Sequence, residues 1–214
     1  MWGTLWRALD FIADVVLMHV LWVVTSLPVF TIGASTTALY YTAMRRVHQD
    51  RGTVFSNFKS SFKMNFKQST VYWLALALTG ALLAFDLNYT AKLDTAVGKA
   101  MFGACAVMMA IWWMVALYIF PVQAKFESTL FGNFKNALLL AIRHFPYTLL
   151  LSAIWVMLWI LTAVFPPFTG VLVISGAGFL SCITSPVYVQ IFRAYTHEDE
   201  EDEGDPDASP PLLR

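Results

Sequence analysis

The chain has 214 residues, 58% of them hydrophobic and only 13% charged, with eight tryptophans and a formal net charge of zero. Its mean hydropathy is +0.61, which excludes an ordinary water-soluble domain and leaves little chain for one outside a bilayer. Two cysteines, Cys105 and Cys182, exclude a disulfide scaffold and a cysteine-built metal site.

Five apolar runs follow one another: 11–32, 68–87, 100–120, 145–165 and 168–189. Each has the roughly 20 residues that an α-helix needs to cross the hydrocarbon core. In lipid every backbone amide must find its partner within its own segment, so runs of this kind are helices. The expected fold is all-α, a polytopic bundle of about five transmembrane helices with amphipathic helices at the cytoplasmic surface. Residues 1–196 form one membrane domain. A cleaved signal peptide over residues 1–34 is the rival reading, but its apolar run is too long and no small-x-small cleavage site follows convincingly.

The zero net charge hides an uneven distribution. Eight of the fourteen acids lie between Glu198 and Asp207, leaving six against thirteen Lys and Arg over residues 1–197. Arg45, Arg46, Arg51, Lys59, Lys63 and Lys67 follow the first run, and Lys125, Lys135 and Arg143 follow the third. The other side holds Arg7, Lys92 and Lys99. Basic short loops stay in the cytoplasm, which predicts an external N-terminus and a cytoplasmic tail. That tail, 197–214, is acidic and then Pro- and Ser-containing. It is expected to be solvated and disordered, or to dock on a cytoplasmic partner.

Along the chain, Asp10, Asp14 and His19 begin the first run. They could form a proton relay, or be headgroup-level carboxylates beside a histidine satisfied by a neighbouring helix. Ala34 to Val47 suggests a short helix beyond the span. Phe55, Phe58, Phe62 and Phe66 then recur at three- and four-residue steps, with Lys59, Lys63 and Lys67 one position later. These two stripes fit a helix lying on an anionic leaflet, or one packed on its own protein. Asp86 and Asn88 read as a helix stop, Pro166-Pro167 as a short external hairpin, and Arg193 as an inner-leaflet anchor. Gly170, Ser175, Gly176, Gly178, Ser181 and Cys182 predict that the last span packs closely against its neighbours.

A short internal echo is also present. Phe55-Ser-Asn57-Phe58-Lys59 recurs as Phe131-Gly-Asn133-Phe134-Lys135, each after a Pro-Val pair (Pro28-Val29 and Pro121-Val122) and each before a span. It predicts two units in the same orientation, unless two amphipathic helix starts agree by chance. Pro28, Pro121 and Pro186 are candidate helix breaks. The four histidines have no metal-ligand spacing, and no phosphate-binding glycine loop or nucleophile turn occurs. The expected site therefore has no catalytic, cofactor or metal residues and nothing to bind nucleic acid. Its candidate contacts with lipid or partner are Phe55, Asn57, Phe58, Lys59, Phe62, Lys63, Phe66 and Lys67, with Phe131, Asn133, Phe134 and Lys135.

Ser26-Leu-Pro-Val-Phe-Thr-Ile-Gly33, Ala38-Leu-Tyr-Tyr-Thr-Ala43, Phe55-x-x-Phe-Lys59 and Asn65-Phe-Lys67 together resemble the YesL-like bacterial integral membrane proteins. The resemblance covers most of residues 1–195 and is strongest over 18–70. It implies a five-span protein of the bacterial cell membrane, of undefined activity, often encoded beside carbohydrate ABC transporters. It supplies no site residues. The expected function is a noncatalytic auxiliary component of carbohydrate uptake that contacts the transporter's membrane subunits; the alternative is a small transporter or channel in its own right.

Overall fold

The computed structural model describes residues 2–47, 52–126 and 128–202 and is all-α across them. The acidic tail beyond Asp202, together with His48 and Arg51, lies outside the described residues. Helix α1 covers Trp2–Ser26, α2 Ile32–Val47, α3 Val54–Thr90 and α4 Ala96–Lys125; α5 covers Leu130–Arg143, α6 Phe145–Val164 and α7 Pro167–Asp202. Among the described residues, four helices are long and apolar enough to cross a membrane: α1 from Leu9, α3, α4 and α6. The fifth expected span falls within α7, which runs on to Asp202 and so takes in the first residues of the predicted tail.

Local chemistry sets the helix ends. Thr53, Thr95 and Thr129 each accept the backbone N–H three residues on, capping α3, α4 and α5. Pro28 stops α1, and a 3-10 turn at Val29–Thr31 reverses the chain into α2. The first span is therefore shorter at its C-terminal end than the apolar run 11–32, because that turn takes its last residues.

The other two proline positions correct the expectation of breaks. Pro121 lies inside α4 and Pro186 inside α7, and both helices continue past them. At Pro121 the reason is on view. Proline has no N–H for the carbonyl four residues back. That carbonyl, on Leu117, accepts instead from the Tyr188 hydroxyl of α7 at 2.8 Å. A buried partner replaces the lost helix bond, so the helix need not open.

Helix α2 departs most from expectation. It is not a peripheral surface helix but the inner strut of the bundle, buried on nearly all sides from Gly33 to Met44. Its polar side chains are satisfied locally: Ser35 donates to the Thr31 carbonyl (3.0 Å) and Thr42 to that of Ala38 (2.8 Å). Thr37 shares a hydrogen bond with Ser69 of α3 at 2.8 Å. Small residues then let neighbouring backbones come close. At Gly33 a Cβ would overlap the Ser69 carbonyl oxygen.

Side-chain contacts fix how the helices run. Trp22 donates to Thr36 and Asp14 pairs with Arg46, so α2 returns antiparallel along α1. Thr37 meets Ser69 and Arg45 reaches Asn57 at 3.5 Å, so α2 is also antiparallel to α3. The Asp14–Arg46 pair joins two residues that the charge reading set on opposite membrane faces, because α2 folds back instead of leaving the bundle. Arg46 also stacks over the Phe11 ring at 5.2 Å.

Two apolar clusters result. One gathers α4 with α7 and α5 around Tyr118, Tyr188 and Phe192; the other holds Val15, Met18, Ala38, Leu39 and Phe58. Much of the remaining apolar surface faces outward, including Val71, Leu74, Leu78 and Leu82 on α3 and Val156, Trp159 and Ile160 on α6. Lipid is the solvent in which such a surface is stable.

Candidate functional site

The basic end of the bundle brings together the first half of α3, the end of α4 and the start of α5. At its centre lies a cluster of amides. Gln123 is 5% exposed and its Nε2 donates to Asn65 Oδ1 and to Gln68 Oε1, both at 2.8 Å. Its Oε1 accepts from Asn133 Nδ2 at 2.6 Å. Gln68 donates onward to the Ser128 carbonyl (3.3 Å), and the Tyr72 hydroxyl to that of Leu130 (3.0 Å). Three helices and the loop before α5 are thus tied by polar bonds in a setting where leaving one unmade costs about 1–3 kcal/mol.

Beside this cluster opens a cleft of about 1160 Å³. Its walls carry Asn65, Gln68 and Gln123, and Lys63 and Lys67 line it from α3. Both lysines are exposed and lie one helical turn apart on the same face. Such a mouth can receive an anionic or polyhydroxylated group.

The predicted contact residues divide in this setting. On α3, Phe58 is only 2% exposed and Phe62 packs against the same core, so most of the phenyl stripe rests on the protein and the lysines point outward. Phe55 is exposed, with Lys59 over its ring at 5.9 Å. Asn57 is half-buried, and Phe66 meets Phe62 edge-on at 5.5 Å. On α5 the pattern inverts. Phe131 is 79% exposed, Phe134 is 43% exposed and Lys135 is exposed, while Asn133 is fully buried in the amide cluster.

The echo has a local cause. Thr53 caps α3 and Thr129 caps α5, each four residues before the shared asparagine. The two copies then diverge: α3 runs unbroken into the membrane, whereas α5 ends at Arg143 and α6 starts afresh. Asn65, Gln68, Gln123, Ser128 and Thr129 were missing from the sequence-derived candidates. For Asn65, Gln68 and Gln123 the only signal was an amide side chain near the end of an apolar run; Ser128 and Thr129 carried none.

Residues of the supposed relay are kept apart. His19 is buried and its Nδ1 accepts from the Ala177 backbone N–H of α7 at 3.1 Å, Asp14 pairs with Arg46, and Asp10 is exposed. At the α5–α6 junction, partial burial and the adjacent Arg143 guanidinium hold His144 below the usual histidine range. It meets the Tyr195 hydroxyl of α7 at 3.1 Å. Cys105 and Cys182 are free, and no three metal-ligating side chains converge among the described residues.

Residues 15–87, from mid-α1 through most of α3, match the family described as protein of unknown function DUF624. Uncharacterized protein YteU of Bacillus subtilis strain 168 is 26% identical over 205 residues, which is 92% of this chain and 90% of that protein. Uncharacterized protein YesL of the same strain is 26% identical over 189 residues, 86% of this chain and 88% of that protein. Both proteins are similar to this chain over most of its length, in keeping with the resemblance its motifs carry. No solved structure matches it. The DUF624 match runs from mid-α1 through α2 into α3, so the strut α2 falls inside it, while α5 lies beyond it but within the stretch aligned with YteU and YesL.

Proposed function

We propose that the protein is a noncatalytic membrane component that works beside a carbohydrate ABC transporter and docks on its membrane subunits through α5. The observation that carries this reading is the two-sided character of that helix. Its inner face is buried at Asn133, Asn136, Ala137, Leu140 and Ala141, whereas Phe131, Phe134, Leu139 and Ile142 stand exposed beside Lys135. An exposed apolar face with a basic border suits a partner helix at the membrane surface. The carbohydrate connection comes from the YesL-like resemblance.

Copurification from the native host in mild detergent tests it. Because Phe58 and Asn133 are buried, substitutions there would report on folding; the informative variant is F131A/F134A/I142A. Transporter subunits are expected to accompany the unaltered protein and to be lost from this variant, with unchanged thermal unfolding. Sugar flux through liposomes holding the purified protein alone would favour a second reading, a small transporter or channel. The buried amide cluster and its cleft are what support that alternative.

Orientation belongs to the same proposal. Arg45 and Arg46, the lysines of α3, and Lys125, Lys135 and Arg143 gather at one end of the bundle, the end that the basic-loop rule assigns to the cytoplasm. Asp14 pairs with Arg46 there, so we place the N-terminus at that end too, in place of the outside location expected from charge alone. In a cysteine-free background, an impermeant thiol reagent is expected to label D94C in intact cells, and T4C only after permeabilisation. Labelling of both in intact cells would restore the external N-terminus.

A further inference from the structure

One helical turn beyond the cleft lies a second cavity of opposite character. A groove of about 350 Å³ runs between α3 and α4, with Ala75, Leu76 and Leu83 on one wall and Met108, Ile111 and Val115 on the other. Its three polar side chains on α3 and α4 all turn their donors to the protein. Tyr72 donates to the Leu130 carbonyl at 3.0 Å, Thr79 to that of Ala75 at 2.7 Å, and Trp112 to that of Leu76 at 3.1 Å. What remains facing the groove is hydrocarbon.

The two cavities lie in sequence along the same seam. Gln68 lines the cleft, and Tyr72, one turn further along α3, lines the groove. On antiparallel α4 the order agrees, Gln123 at the cleft and Ile119 to Met108 at the groove. Exposed ammonium groups at one end and an apolar slot at the other describe the two halves of an anionic amphiphile.

We infer that the α3–α4 seam binds one anionic phospholipid of the bilayer, its phosphate held by Lys63 and Lys67 and one acyl chain laid in the groove. Basic pockets between spans at the cytoplasmic face are suited to anionic headgroups. A slot of this volume, at the small end of ligand pockets, takes a single chain. The groove shares Phe134 with the docking face of α5, but the lysine and groove-filling variants leave that residue unchanged, so either reading can fail without the other.

Native mass spectrometry of the full chain, released from detergent after exchange with equal phosphatidylglycerol and phosphatidylethanolamine of identical chains, tests the inference. The unaltered protein is expected to keep one phosphatidylglycerol. K63Q/K67Q should lower its preference over phosphatidylethanolamine, by roughly fivefold per lysine. A75F and I111W, which fill the groove from opposite walls, should shed both lipids. Circular dichroism melting confirms that each variant is folded, and a filler that unfolds is replaced by the other. Equal retention of the two lipids by the unaltered protein would overturn the site, as would folded groove-filling variants that keep phosphatidylglycerol undiminished.

Discussion

Replacing Tyr188 with phenylalanine is expected to destabilise the bundle by about 1–3 kcal/mol, and adding P121A in the same chain to recover the part of that loss that belongs to the Leu117 carbonyl, the hydroxyl's contact with Tyr40 being lost in both. Pro121 leaves the Leu117 carbonyl without its helical donor. Tyr188, 1% exposed, supplies the replacement through its hydroxyl at 2.8 Å. Phenylalanine keeps the ring contacts with Tyr40 and Tyr118, at 5.5 and 5.6 Å, so the change isolates the hydroxyl. Alanine at position 121 restores a backbone N–H aimed at the same carbonyl, and the orphan disappears. A double-mutant cycle measured by unfolding in detergent should therefore give a strong favourable coupling between the two changes. If Y188F costs as much with P121A as without it, the hydroxyl has another role and this explanation of the unbroken helix fails.

Alanine at Gly33 is expected to be still more damaging, despite adding one methyl group. The added Cβ would strike the Ser69 carbonyl oxygen and come within 2.7 Å of the Trp73 Cβ. Neither obstacle can rotate away, so α2 and α3 must separate and the Thr37–Ser69 bond at 2.8 Å goes with them. Overpacking alone typically costs about 1–3 kcal/mol. Gly178 is a parallel case, because its Cβ would meet the Val15 carbonyl oxygen of α1. Gly103 is the control, with nothing within 4 Å of an added Cβ, and there alanine should gain up to about 1 kcal/mol of helix propensity. Melting temperatures should rank G103A at or above the unaltered protein and G33A and G178A well below. A G33A protein as stable as G103A would show that α2 is not pressed against α3 as described.

The amino-acid order by itself determined the solvent, the helical class and the positions of most long helices. Those are properties of local runs: an apolar stretch of sufficient length in lipid can only close its backbone bonds as a helix. The threonines at 53 and 129, likewise local, set the start of the echoed helices. Tertiary structure alone decided what each helix touches. Helix α2 reads as weakly apolar, because Arg45, Arg46 and its run of hydroxyl side chains lower its mean hydropathy; returning hydroxyls to the carbonyls of Thr31 and Ala38 and to Ser69 is what lets it lie inside the bundle. Pro121 reads as a break because the rescuing hydroxyl stands 67 residues away in sequence, on α7. The copies Phe58 and Phe134 read alike but part company, one buried and one exposed, since α3 packs beneath α2 while α5 turns the corresponding face outward. Burial and partnership at these positions are set by long-range packing, which depends on residues far from them in sequence.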